Sequence, residues 1–92
     1  MAKPIIQKEK ECFVCRSTQN LQEHHIFYGT ANRRMSEMHG MTVWLCQMHH
    51  TGNRGVHFDK ALDTKLKEIG QKKFEETHSR EEFIKVFGRN YL

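Results

Sequence analysis

The pattern of apolar and polar residues predicts two short strands with a helix between them. Residues 21–27 alternate in the way of a half-buried strand, and residues 42–45 are apolar and β-prone. Residues 31–39 predict a short helix that ends at Gly40. Because successive side chains of a strand face opposite sides, His24 and His25 can serve two different tasks.

From residue 58 onward the pattern becomes helical. Apolar positions recur at helical spacing over residues 58–69, where Asp63 and Lys67 form an i,i+4 pair. Gly70 is expected to end or kink this helix. Residues 79–82 have the form of a capping box at the start of a last helix. We therefore expect two or three C-terminal helices that cover one side of the domain.

The length and charge of the chain limit the kind of protein it can be. Ninety-two residues suit one small domain, which often needs a metal or disulfide staple. Residues 1–11 are polar and predict a flexible basic arm, so residues 12–92 form the domain. The net charge of +4 favours an anionic partner, nucleic acid above all.

The chain shows no signal peptide and no run of apolar residues long enough to span a membrane. Its three cysteines cannot all pair with one another. A reducing cytoplasm is therefore expected, where cysteines at short spacing more often bind metal or do redox chemistry than form structural disulfides.

The cysteines have the spacing of a structural zinc site. Cys12 and Cys15 form one pair, and Cys46 and His49 form a second pair about thirty residues later. His50, the neighbour of His49, is the alternative fourth ligand. A Cys-x-x-Cys redox protein is the less favoured interpretation, because the second pair is distant and no βαβ pattern surrounds the first.

His39 and His78 lie outside the motif clusters, so if zinc takes His49, four of the other histidines remain for another purpose. They are His24, His25, His50 and His57. A plain zinc knuckle has no use for them, whereas a second metal site with open coordination positions would use them.

The order and spacing of these residues resemble the HNH endonucleases of the ββα-metal superfamily, most closely the small stand-alone HNH proteins of bacteriophage genomes. The motifs are Cys12-x-x-Cys15, Glu23-His24-His25-Ile26 and Leu45-Cys46-x-x-His49-His50. The resemblance covers residues 12–57, with His49 in place of the second cysteine of the later pair. It implies an α+β fold, in which a ββα metal-binding core of residues 12–57 is stapled by zinc and covered by the helices of residues 58–92.

The resemblance also implies a role for each matching residue. His25 matches the general base, and His24 and His50 match two ligands of one catalytic divalent metal. The third ligand is His57 or Asn53, and we favour His57 because imidazole binds divalent metals better than an amide does. Mg²⁺ is the expected ion, with Mn²⁺ or Ni²⁺ as alternatives.

One position departs from the family pattern. The middle Asn of the family, which orients the base histidine, is replaced by Met41, and Thr42 follows it. The backbone carbonyl of Thr42 could instead accept a hydrogen bond from Nδ1–H of His25. Asn32 is the alternative orienting residue.

By resemblance, the chain is expected to hydrolyse DNA phosphodiester bonds with low sequence specificity, leaving a 5′ phosphate and a 3′ hydroxyl. Arg33, Arg34 and Arg54 are the candidate phosphate-binding residues. A monomer would nick one strand, and a dimer would cut both. Phage packaging or recombination proteins are expected partners, in the cytoplasm of a bacterial host. The alternative is an HNH-fold zinc protein of weak or no activity that binds nucleic acid or another protein.

Overall fold

Two antiparallel strands and four helices form the fold in the computed structural model, which describes residues 4–52 and 55–92. The elements are, in chain order, β1 (Leu21–His25), α1 (Thr30–His39), β2 (Thr42–Cys46), α2 (Gln47–His50), α3 (Lys60–Phe74) and α4 (Arg80–Phe87). The α+β class expected from the sequence is confirmed. Among the residues described, no helix is both long and apolar enough to cross a membrane.

The pairing of the two strands determines where the ligand residues lie. β1 and β2 are antiparallel, with Leu21 opposite Cys46 and His25 opposite Thr42. Helix α1 connects the strands, and the short helix α2 begins directly after β2. Cys46 therefore lies beside the start of β1, whereas His24 and His25 lie at the end of β1.

Three helix boundaries follow the local signals in the sequence. Gly40 ends α1 in the left-handed conformation at φ 70°, and Gly88 ends α4 at φ 89°. At the start of α4, Ser79 Oγ accepts a hydrogen bond from the backbone N–H of Glu82. The Glu82 carboxylate accepts one from the Ser79 backbone N–H in return, which completes the capping box.

Gly70 does not end α3, which continues to Phe74. It is buried where the helix crosses the side chain of Phe27, and a Cβ at this position would lie 3.0 Å from Phe27 Cε2. The glycine thus allows the helix to approach the aromatic ring closely.

An aromatic cluster joins the C-terminal helices to the end of β1. The ring of Phe27, two residues after His25, lies 5.3 Å from that of Phe83 and 4.4 Å from that of Phe87, centroid to centroid. Phe74 of α3 packs against Phe83 at 5.5 Å. Because these rings are almost fully buried, α3 and α4 fix the chain segment that carries the adjacent histidines.

Residues 5–11 lie against the free edge of β2. The backbone N–H of Ile5 donates to the carbonyl of Gly40 at 3.1 Å, and that of Trp44 donates to Gln7 Oε1 at 2.8 Å. The ammonium of Lys10 lies 4.5 Å from the centroid of the Trp44 ring. These contacts give residues 5–11 a defined path beside β2, and they cover an otherwise unpaired strand edge.

Candidate metal centres

Four residues from three parts of the chain form a cysteine–histidine cluster of Cys12, Cys15, Cys46 and His49. The first two lie in a turn before β1, in which the backbone N–H of Arg16 donates to the carbonyl of Cys12 at 2.8 Å. Cys46 is the last residue of β2, and His49 follows one turn later in α2. The strand register brings this second pair to the turn that carries the first.

The distances within the cluster match those around tetrahedral zinc. With Zn–S bonds of about 2.3 Å and Zn–N bonds of about 2.05 Å, two sulfurs lie about 3.8 Å apart and a sulfur and a nitrogen about 3.6 Å. Cys15 Sγ lies 3.7 Å from Cys46 Sγ. His49 Nδ1 lies 3.3 Å from Cys46 Sγ and 3.7 Å from Cys12 Sγ. The cluster can therefore hold a metal such as zinc.

The two thiols of the turn have different electrostatic environments. Burial disfavours a charged Cys12, but backbone N–H groups, those of Cys15 and Cys46 foremost, outweigh it and lower the pKa to about 6. At Cys15 the Ser17 backbone N–H lowers the pKa, whereas desolvation and the neighbouring thiols outweigh it and raise the pKa. Backbone dipoles thus prepare Cys12 as a thiolate, the form that binds metal.

A second group, the three-histidine cluster, consists of His24, His50 and His57. One nitrogen of each ring lies within 4.8 Å of the others, and the ring centroids are 5.2 to 5.8 Å apart. His24 comes from β1, His50 from the end of α2, and His57 from the segment before α3. The structure therefore assigns His50 to this cluster and leaves His49 as the fourth member of the first.

One nitrogen of His24 has the environment of a metal ligand. The residue is 2% exposed, and its Nε2 atom is buried without a hydrogen-bond partner among the described residues. A buried polar atom that lacks a partner costs free energy, about 1–3 kcal/mol. A divalent ion bound between the three rings would satisfy this atom, so the donor set fits a metal.

Gln22 supports the second ring of this cluster. It lies two residues before His24 on the same face of β1, and its side-chain oxygen bonds His50 Nδ1. An oxygen acceptor at Nδ1 selects the tautomer that carries its proton there. Nε2 of His50 is then free to bind metal.

Burial keeps two of the three imidazoles neutral. Desolvation, with the neighbouring rings of His50 and His57 as the next causes, lowers the pKa of His24 from 6.5 to about 3. Desolvation and His57 also lower the pKa of His50. Neutral imidazole is the form that binds metal, so these side chains are prepared as ligands at neutral pH.

His25 lies at the same pocket as the three-histidine cluster but has a different partner. Its Nε2 atom lies 2.9 Å from Glu37 Oε1 of α1. Asn32, predicted as an alternative orienting residue, instead donates to the carbonyl of Phe87 at 3.1 Å. Thr42 is opposite His25 in the register, but among the described residues its backbone carbonyl accepts no hydrogen bond from His25 Nδ1. The sequence did not identify Glu37 as the partner.

The histidines open onto a concave pocket of about 270 Å³. Its lining consists of Glu23, His24, His25, Tyr28, Arg33, His50 and His57. Arg33 is therefore placed at the predicted site, whereas Arg34 is exposed and is not part of this lining as far as the structure describes it. Two further predicted residues, Asn53 and Arg54, lie outside the described residues.

A small polar network borders the pocket and was not recognised in the sequence as part of the site. The Lys67 ammonium lies 2.9 Å from Asp63 Oδ2 and 4.3 Å from the ring centroid of Tyr28. The Tyr28 hydroxyl donates to the same carboxylate oxygen at 3.1 Å. The i,i+4 pair predicted on α3 is confirmed, and its link to Tyr28 ties α3 to the wall of the pocket.

Comparison with protein-family models, with curated proteins and with solved structures finds no match for this chain. The fold and its side chains define a small α+β domain with two clusters of metal-ligand residues.

Proposed function

We propose that the chain is a metal-dependent endonuclease of the HNH type that hydrolyses DNA phosphodiester bonds. One observation carries the proposal. The buried Nε2 atom of His24, which has no hydrogen-bond partner among residues 4–52 and 55–92, lies beside His50 and His57, and His25 lines the same pocket. Three ligands beside an independent histidine are the arrangement that metal-assisted hydrolysis requires.

The two clusters have different roles in this proposal. Zinc bound by the cysteine–histidine cluster staples the domain, because four protein ligands leave no open position for a substrate. His24, His50 and His57 would hold the catalytic ion, and three protein ligands would leave room for phosphate and water. That ion would neutralise charge on the phosphate and on the leaving 3′ oxygen. Three imidazoles suit Ni²⁺ better than the Mg²⁺ first expected, because Mg²⁺ prefers oxygen ligands.

His25 is the general base of the proposed reaction. A neutral imidazole takes a proton from the attacking water, whose oxygen bonds to phosphorus as the 3′ oxygen leaves. The products are a 5′ phosphate and a 3′ hydroxyl. Because His25 faces the pocket from β1, beside ligand His24, the water and the metal-bound phosphate would meet in that pocket.

The charge of the domain supports a polyanionic substrate. The net charge is +4, and Arg33 lines the pocket from α1. An arginine at this position can bind a phosphate oxygen next to the scissile bond. Contacts to the backbone carry no sequence information, so low sequence specificity is expected.

The proposal is tested by nicking of supercoiled plasmid with Mg²⁺, Mn²⁺ or Ni²⁺. His25→Ala should lower the nicking rate by about 10²–10⁴-fold. His78→Ala removes an exposed histidine that belongs to neither cluster and should leave the rate unchanged. Binding of metal and DNA without nicking by the wild type would instead indicate a nucleic-acid binding module. Equal nicking by wild type and His25→Ala would refute the role of His25.

A further inference from the structure

Glu37 is the one carboxylate that contacts His25 among the described residues. Its Oε1 atom lies 2.9 Å from His25 Nε2, and the imidazole side chain is 10% exposed. The carboxylate side chain is 37% exposed. Because the carboxylate is partly exposed to water, this contact adds little to the free energy of unfolding. Its geometry is better explained by its effect on the orientation of the imidazole.

The position of Glu37 is fixed by the residue before it. Ser36 is fully buried, and its hydroxyl donates to the carbonyl of Phe27 at 2.7 Å and accepts from the Phe27 backbone N–H at 3.1 Å. The Ser36 carbonyl accepts from the backbone N–H of Met41 at 2.8 Å. Because Phe27 follows His25 by two residues, these two hydrogen bonds to Ser36 set the distance between the carboxylate of Glu37 and the imidazole of His25.

Helix α1 also directs a second functional side chain toward the pocket. Arg33 precedes Glu37 by four residues, so the two lie on the same face of α1. Arg33 lines the pocket that His25 also lines. One helix thus supplies both a phosphate-binding group and the partner of the base.

We propose that Glu37 is the positioning residue for His25, in place of the family's orienting Asn, whose position is occupied here by Met41. This inference rests on the proposed nuclease function. The Glu37 carboxylate accepts the Nε2–H hydrogen bond, which fixes the ring and leaves Nδ1 without a proton. Nδ1 then takes the proton from water, and the nearby carboxylate stabilises the imidazolium that forms.

A carboxylate does more in this position than a neutral amide. A hydrogen bond to a charged acceptor is stronger than one to a neutral acceptor, so a carboxylate holds the ring more firmly than an amide oxygen does. Glu37→Gln retains an oxygen acceptor and should preserve the tautomer while losing the charge. Glu37→Ala loses both.

The experiment combines kinetics with histidine nitrogen NMR. With saturating Mn²⁺ and varied DNA concentration, Glu37→Ala should lower kcat by roughly 10²-fold, with little change in KM and zinc content. Glu37→Gln should fall between Glu37→Ala and the wild type. Glu81→Ala, which makes the same charge change at an exposed position on α4, should behave as the wild type. In NMR spectra, wild-type His25 should be the Nε2–H tautomer, and Glu37→Ala should show a mixture.

The two readouts separate failure of this inference from failure of the proposed function. Equal rates of DNA cleavage by Glu37→Ala and the wild type would refute the positioning role and would still agree with the proposed nuclease function. An Nδ1–H tautomer of His25 in the wild type overturns it directly. A fixed Nε2–H tautomer in a wild type that never cleaves DNA refutes the nuclease and shows that Glu37 orients the ring for another purpose.

Discussion

Removal of the metal from the cysteine–histidine cluster should unfold the domain. Cys12 is fully buried, and a metal held by this cluster would join the turn before β1 to the end of β2 and to α2. Where the unfolded chain has no preformed site, the binding free energy of a structural metal becomes folding free energy, and it decreases as the free metal concentration falls. The contribution of this site can therefore be compared directly with the stability of the whole chain.

The comparison favours complete unfolding. Structural zinc sites contribute about 10–16 kcal/mol of apparent binding free energy at neutral pH. A domain of 92 residues has a net stability of about 5–14 kcal/mol at the usual values per residue. The middle of the first range, about 13 kcal/mol, exceeds the middle of the second, about 9.5 kcal/mol, so the metal-free chain should have no stable folded state.

Cys12→Ser tests this prediction, with Val14→Ser as the matched control in the same turn. The side chain of Val14 is exposed and belongs to neither cluster, so its replacement should retain the metal and the fold. Metal content is measured by mass spectrometry, and folding by thermal unfolding in circular dichroism. Wild type and Val14→Ser should each hold one zinc ion and unfold cooperatively, and Cys12→Ser should do neither. A zinc-free Cys12→Ser that unfolds at the wild-type temperature would refute the staple.

Two further predictions concern His24 and Gly70. Because the folded pKa of His24 lies below 6.5, its contribution to stability is complete above that pH and is lost toward pH 3. Without metal at the three-histidine cluster, the free energy of unfolding should fall by about 1.3 kcal/mol between pH 7 and pH 5.5 because of His24. Urea unfolding at the two pH values measures this loss. An equal loss in His24→Gln would contradict the assignment to His24. Gly70→Ala should destabilise by about 1 kcal/mol, since overpacking against Phe27 exceeds the gain in helix propensity. A Phe27→Leu background should remove that penalty, and persistence of the penalty there would show another cause.

The members of both clusters could be predicted from the sequence because their chemistry leaves a local trace. Two pairs at x-x spacing indicate one cluster, and the resemblance to HNH motifs selects the members of the other from the remaining histidines. The capping box at Ser79 and the glycine after α1 likewise depend on residues within one helical turn. Such signals can be recognised in the sequence without knowledge of the tertiary packing.

The partners of the ligands could not be predicted, because they come from distant parts of the chain. Gln22 and His50 are 28 residues apart, and His25 and Glu37 are 12 apart. Gln22 did carry a signal, since strand alternation places it on the face of His24. Gly70 was misleading, because a glycine within a helix can serve close packing as well as termination.

The proposed hydrolysis is tested most directly by the ends of the DNA that it leaves. Zinc-loaded wild type and His25→Ala are incubated with an end-labelled duplex and Mn²⁺, and the termini are identified by ligation and by polymerase extension. Attack of water with release of the 3′ oxygen predicts ligatable nicks with a 5′ phosphate and a 3′ hydroxyl from the wild type alone. Nicks with a 3′ phosphate, or no nicks from a wild type that holds both metals, would contradict it.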